Sequence, residues 1–150
     1  STTEHPSFEN DKHFIREAKL LADYASVNKN YPFGAVLVDG NQNVICGEED
    51  TQLVNEDMTE HAVMNLVRKV AKMKYPKEKL WECTLYTTIE PCMMCAGAIV
   101  LLGVGNVVYG CSNDRMHQLN NGYFYKGNGH KINVNGPLLE EECEFVHRIT

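Results

Sequence analysis

No stretch of this sequence is apolar for long enough to cross a bilayer, and it contains no repeat and no low-complexity tract. A spanning helix needs about 20 consecutive apolar residues, so a membrane role of that kind is excluded. The opening STTEHPSFENDKHF lacks the basic and apolar zones of a secretory signal, so the expectation is a soluble intracellular protein. Basic residues are the scarcer sign: 14 Lys and Arg stand against 20 Asp and Glu, a net charge of −6. Gripping a phosphate backbone usually takes a basic face. The balance therefore favours a small uncharged ligand over a long nucleic acid.

What is present fits one globular domain spanning 1–150, with 43% hydrophobic and 23% charged residues. Six cysteines do not read as a disulfide framework. Cys92 and Cys95 form a C-x-x-C pair, whereas Cys46, Cys83, Cys111 and Cys143 stand singly among apolar neighbours, as buried thiols of a reducing compartment do.

Apolar residues at Phe14, Ala18, Leu21, Ala22 and Ala25 make one helical stripe, predicting an amphipathic helix from Phe8 to about Val27. FGAVLVDGNQNVICGEE then reads as a hairpin, Ala35 to Val38 and Val44 to Cys46, turning at Asp39-Gly40-Asn41. Thr59 is the expected cap of a second helix over about Glu60 to Met73. KYPKEK reads as a connector, and CTLYTT as a third strand. PCMMCAGAIVLLG reads as a helix with Pro91 in its first turn and Gly103 at its end. NVVYGC is a fourth strand, KINVNG a fifth, and PLLEEECEFVHRI a closing helix. The Gly- and Asn-rich stretch from Ser112 to Gly129 is long enough to be a binding loop. The class is α/β, a mixed five-stranded sheet in three α/β/α layers.

His61 is expected in the first turn of one helix, and Cys92 and Cys95 in the first turn of another. Cysteines three apart on a helix share a side, and a helix N-terminus favours thiolate, the form a metal needs. Two thiolates and an imidazole suit zinc, and three protein ligands with an open fourth position is the catalytic pattern. By itself C-x-x-C also fits a redox pair or half of a four-ligand structural site. No thioredoxin-like context and no fourth ligand accompany it, and a lone histidine is ordinarily a core or capping residue.

PFGAVLVD, DMTEHAVMN, LYTTIEPCMMCAGAIVLLGVGNVVYG and GPLLEEE together resemble the cytidine deaminase superfamily of zinc hydrolases. The similarity is to the branch of guanine, cytosine and tRNA adenosine deaminases, and it runs in order from about Phe14 to Val146. That family carries H-x-E followed by P-C-x-x-C, and here stand His61-Ala62-Val63 and Pro91-Cys92-Met93-Met94-Cys95. The resemblance implies a cytidine-deaminase-like fold and zinc held by His61, Cys92 and Cys95. It further implies base stacking by Phe33 and pocket walls from Thr59, the Ala62 backbone, Glu90 and Pro91. Tyr123, Phe124 and Tyr125 fall where some relatives close the pocket, with ordinary packing as the other reading. It also implies a homodimer acting on a small base or nucleoside.

Three positions depart from the pattern. Val63 stands where the family's glutamate moves protons between the zinc water, the ring and the leaving amine, and losing such a group costs about 10²- to 10⁴-fold. Glu48-Glu49-Asp50 stands where guanine deaminases carry an asparagine for the base. Glu60 replaces a small residue before the histidine, so Glu60, Glu49 or Asp50 is a candidate for a relocated shuttle. The readings that follow are an impaired zinc-dependent deaminase, a pseudo-deaminase serving a catalytic partner chain, and a zinc site that binds bases without hydrolysing them. The non-catalytic subunit of eukaryotic tRNA adenosine deaminase resembles the second, with valine at the matching place.

Overall fold

Ile15, Ala18, Ala22 and Ala25 recur at helical spacing with almost no exposure, which commits the first segment to a helix lying on a sheet. In the computed structural model, which describes residues 8–114 and 131–144, this helix is α1 (Phe8–Val27). Its approach to the sheet is close. A Cβ on Gly34 would sit 2.1 Å from the Ala18 carbonyl oxygen, so only glycine fits there.

Strands β1 (Gly34–Val38) and β2 (Val44–Glu49) form the expected antiparallel hairpin, with an irregularity between Leu37 and Val38. Its turn is built by Asp39, whose Oδ1 accepts the N–H groups of Asn41 and Asn43, each at 2.9 Å. β1 also pairs antiparallel with β3 (Thr84–Ile89). β3 runs parallel to β4 (Asn106–Cys111), which runs parallel to β5 (Asn133–Asn135). The order is β2-β1-β3-β4-β5, a mixed five-stranded sheet as expected.

Period-2 alternation divides the core. Leu37, Leu85 and Val107 align across the three central strands and belong to the cluster that includes Leu66 and Ile99. Val36, Tyr86 and Val108 align one residue away, in the cluster of Phe14 and Ile15. Helices α2 (Ala62–Met73) and α4 (Met93–Leu102) therefore cover one face, and α1 the other, in three layers. The short α3 (Lys77–Leu80) overlaps the segment expected as a plain connector. α5 (Glu140–Cys143) lies in the segment expected as the closing helix and is tied to α1 by both Glu142 oxygens on Arg16 at 2.9 and 3.1 Å. Among the described residues no helix is long and apolar enough to cross a membrane.

Two helix starts differ from expectation. Thr59 is not the cap of α2: Asp57 Oδ1 takes both its N–H (2.8 Å) and its hydroxyl (2.7 Å), holding Thr59 in a turn. His61, extended at φ −63° and ψ 152°, occupies the N-cap instead. α4 likewise begins at Met93, with Cys92 extended at its N-cap and Pro91 outside the helix. Of the Ser112–Gly129 stretch only residues 112–114 are described, so Tyr123, Phe124 and Tyr125 lie outside the described residues.

Candidate metal centre

The two shifted helix starts are what build the site. At both N-caps the extended backbone releases a side chain from its helix, so His61 and Cys92 turn toward each other across the α2–α4 contact. Cys95, in the first turn of α4 and 3% exposed, completes the group. His61 Nδ1 lies 3.6 Å from Cys92 Sγ and 3.5 Å from Cys95 Sγ. All three ligand atoms fall within 4.8 Å of one another.

The donor set and its spacing fit zinc. Zn–S bonds of about 2.3 Å and a Zn–N bond of about 2.0 Å in tetrahedral array put sulfur and nitrogen roughly 3.5 Å apart. The protonation of the triad suits a dication as well. The Cys95 thiol donates to Cys92, which with help from His61 holds Cys92 down to about 4, while the same hydrogen bond and burial push Cys95 up. The cysteines thus hold one proton between them, and a dication would displace it. The imidazole is pushed up chiefly by its hydrogen bond to Cys92, with smaller help from the charge of Asp50 and the backbone at Met58.

The triad opens into a small pocket of about 70 Å³. Phe33, Ala62, Glu90 and Pro91 line it, as the resemblance implied. Val63 lines it too, 3% exposed and continuous with the core. Thr87, Ile89 and Asn113 complete the wall and were not expected from sequence. Alternation along β3 from Leu85 signals Thr87 and Ile89. Asn113 has no local signal: its N–H donates to Glu90 Oε1 at 3.1 Å, across 23 residues.

The other acidic candidates stay outside the pocket wall. Glu60 does not line the pocket of the triad: its Oε1 accepts from Thr51 Oγ1 and Asn55 Nδ2, both at 2.9 Å. It lines a separate groove with Arg68, Lys69 and Lys72. Glu49 accepts from Asn28 Nδ2 at 3.1 Å. Asp50 is fully buried, its oxygens taken by the backbone and side-chain amides of Gln52, and burial raises its pKa. Its charge reaches His61 electrostatically and helps hold the imidazole's pKa up. Thr59 faces Asp57 and Arg68 rather than the pocket.

A family model described as the cytidine and deoxycytidylate deaminase zinc-binding region matches residues 8–111. The chain is 33% identical to a probable cytosine deaminase of Schizosaccharomyces pombe, across 93% of this chain and 91% of that one. It is 37% identical to a tRNA-specific adenosine deaminase of Haemophilus influenzae, across 89% and 78% respectively. A structure solved in work on A-to-I editing by tRNA:A34 deaminases matches with a TM-score of 0.75 at 28% identity, over 90% of this chain and 99% of that chain. A guanine deaminase from Nitrosomonas europaea shares the fold, with a TM-score of 0.70 at 19% identity over 90% and 81%.

Proposed function

This chain belongs to the cytidine and deoxycytidylate deaminase zinc-binding family, and from that premise we propose a zinc-centred site for a small base or nucleoside whose hydrolytic turnover Val63 holds low. Bound zinc supplies Lewis-acid polarisation and acidifies water. The chain's own residues then do the following. Phe33 offers a ring face to a flat heterocycle, and Ala62, Ile89 and Pro91 exclude water around it. Glu90 and Asn113 give the wall its polar edge, fixed by the bond between them.

The observation that carries the reading is the placement of Val63. It sits two residues past His61, walls the same pocket, and has neither a proton to give nor a lone pair to accept one. Among the described residues Glu90 is the only carboxylate lining that pocket, and its Oε1 is committed to Asn113. The test is Val63→Glu in zinc-loaded protein, assayed for ammonia release on a panel of bases and nucleosides. A gain of about 10²-fold or more on at least one member is expected. A loaded variant no faster than the parent on every member would refute the reading.

The proposed assembly is a homodimer through α4. That helix has no polar residue, and Met93 (51% exposed), Gly97 and Leu101 (87% exposed) recur every four residues along one outer stripe. A helix apolar all round is normally covered on every side. Leu101→Glu is expected to convert a dimer to a monomer in analytical ultracentrifugation. The same stripe favours the second reading, a regulatory subunit on a homologous catalytic chain. There the isolated protein would be monomeric and would pair only on mixing with that chain. All six cysteines are free, which supports a reducing, cytoplasmic setting.

A further inference from the structure

Three residues around the β2–α2 connection make a clasp for which metal ligation alone gives no reason. The connection runs out from Thr51 and returns at Glu60, and the two ends meet. Thr51 N–H donates to the Glu60 carbonyl at 3.1 Å, and Thr51 Oγ1 donates to Glu60 Oε1 at 2.9 Å. Asn65, one turn into α2, closes the clasp from the helix side. Its Nδ2 donates to the Glu49 carbonyl and to Thr51 Oγ1, both at 2.9 Å, and lies 3.4 Å from the Glu60 carbonyl. One half-buried amide thus ties the end of β2, the start of the loop and the residue before His61.

This matters because His61 stands at an N-cap in extended backbone, with no cap hydrogen bond from its own side chain. The helix therefore does not fix where the imidazole points. The peptide entering His61 is fixed instead from the Glu60 side, where the Glu60 carbonyl meets Thr51 N–H at 3.1 Å and Asn65 Nδ2 at 3.4 Å. We propose that Asn65, acting with Thr51 and Glu60, is the positioning group that presets His61 for the metal. The same clasp accounts for a glutamate at position 60: it serves the loop and not the pocket. The inference depends on the zinc centre and not on turnover, so a parent with no deaminase activity leaves it standing.

The test is zinc affinity, measured by chelator competition, together with the spectrum of the cobalt-substituted protein. Asn65→Ala is expected to weaken zinc about 10- to 100-fold, the usual cost of losing a group that orients a metal ligand. Thr51→Val should follow it in direction, while Thr51→Ser, which keeps the hydroxyl, should bind as the parent does. In the cobalt protein the ligand-field bands should move with Asn65→Ala while the sulfur charge-transfer bands stay. Tyr86→Phe, which cuts a buried bond on the opposite face of the sheet, is the control for plain loss of stability. Parent-like affinity in Asn65→Ala, or an equal loss in Tyr86→Phe, overturns the assignment. If Asn65→Ala does not fold, the contrast between Thr51→Val and Thr51→Ser decides the matter in the same way. A parent that binds no zinc overturns the metal centre itself and the clasp's role with it, a result distinct from tight binding in every variant.

Discussion

His61 Nδ1 stands 3.5 Å from Cys95 Sγ although 34 residues separate them in the chain. One belongs to the start of α2 and the other to the first turn of α4, so whatever binds both also fastens two helices together.

Cys95→Ser is therefore expected to cost both metal and stability. Zinc per chain should fall from about one to near zero by elemental analysis, because zinc of this kind needs three protein ligands. The melting temperature of zinc-saturated protein should fall to that of the chelator-treated parent, since metal affinity is folding free energy. A Cys95→Ser protein that retains full zinc would place the metal elsewhere.

Val63→Glu carries a structural penalty that zinc should partly relieve. The position is 3% exposed and belongs to the cluster beneath α2. Burying a polar group there without a partner costs about 1–3 kcal/mol. Denaturant unfolding with and without zinc should show a larger loss in the zinc-free protein, where no cation faces the new carboxylate. Equal losses in the two conditions would show that the carboxylate does not turn toward the metal.

On the other face, Tyr86→Phe should destabilise without touching zinc. The Tyr86 hydroxyl donates to Asp11 Oδ1 at 2.6 Å, and both side chains are buried. Removing the donor leaves a buried carboxylate short of a partner, for about 1–3 kcal/mol. A lowered denaturant midpoint at constant slope is the signature expected. An unchanged midpoint would mean that Asp11 is held well enough by its other contacts.

The Arg16–Glu142 pair sets a pH dependence of known sign. The hydrogen bond from Arg16, with its charge, holds Glu142 below the usual glutamate range. A depressed folded value means the contribution is present above the ordinary glutamate value and is lost as pH falls through the folded one. Both side chains are about half exposed, so the effect is small. Glu142→Gln should lower the melting temperature slightly at neutral pH, with the gap closing in acid. A gap that widens in acid would reverse the assignment.

Much of this was legible in the sequence where the signal is local. The α1 stripe, the Asp39 turn and the C-x-x-C spacing each depend on residues within a few positions, and each stands as read. The start of α2 lies two positions later than expected because Asp57, not the helix, claims Thr59. Glu60 became a candidate shuttle through its helical spacing from Val63, but the chain is not yet helical at Glu60. Its actual partners, Thr51 and Asn55, are loop residues whose position no periodicity describes. The bond between Asn113 and Glu90 escaped for a related reason: parallel pairing of β3 with β4 creates that proximity, and only the folded sheet reveals it.

The division of the core by a single sheet has a last consequence. Both ligand-bearing helices lie on one side, while α1 and the tyrosine–aspartate bond lie on the other. One layer is thus held by burial and by bonds between its own side chains, and the opposite layer also answers to the supply of an ion. Loss of the metal would loosen the protein from the pocket side first.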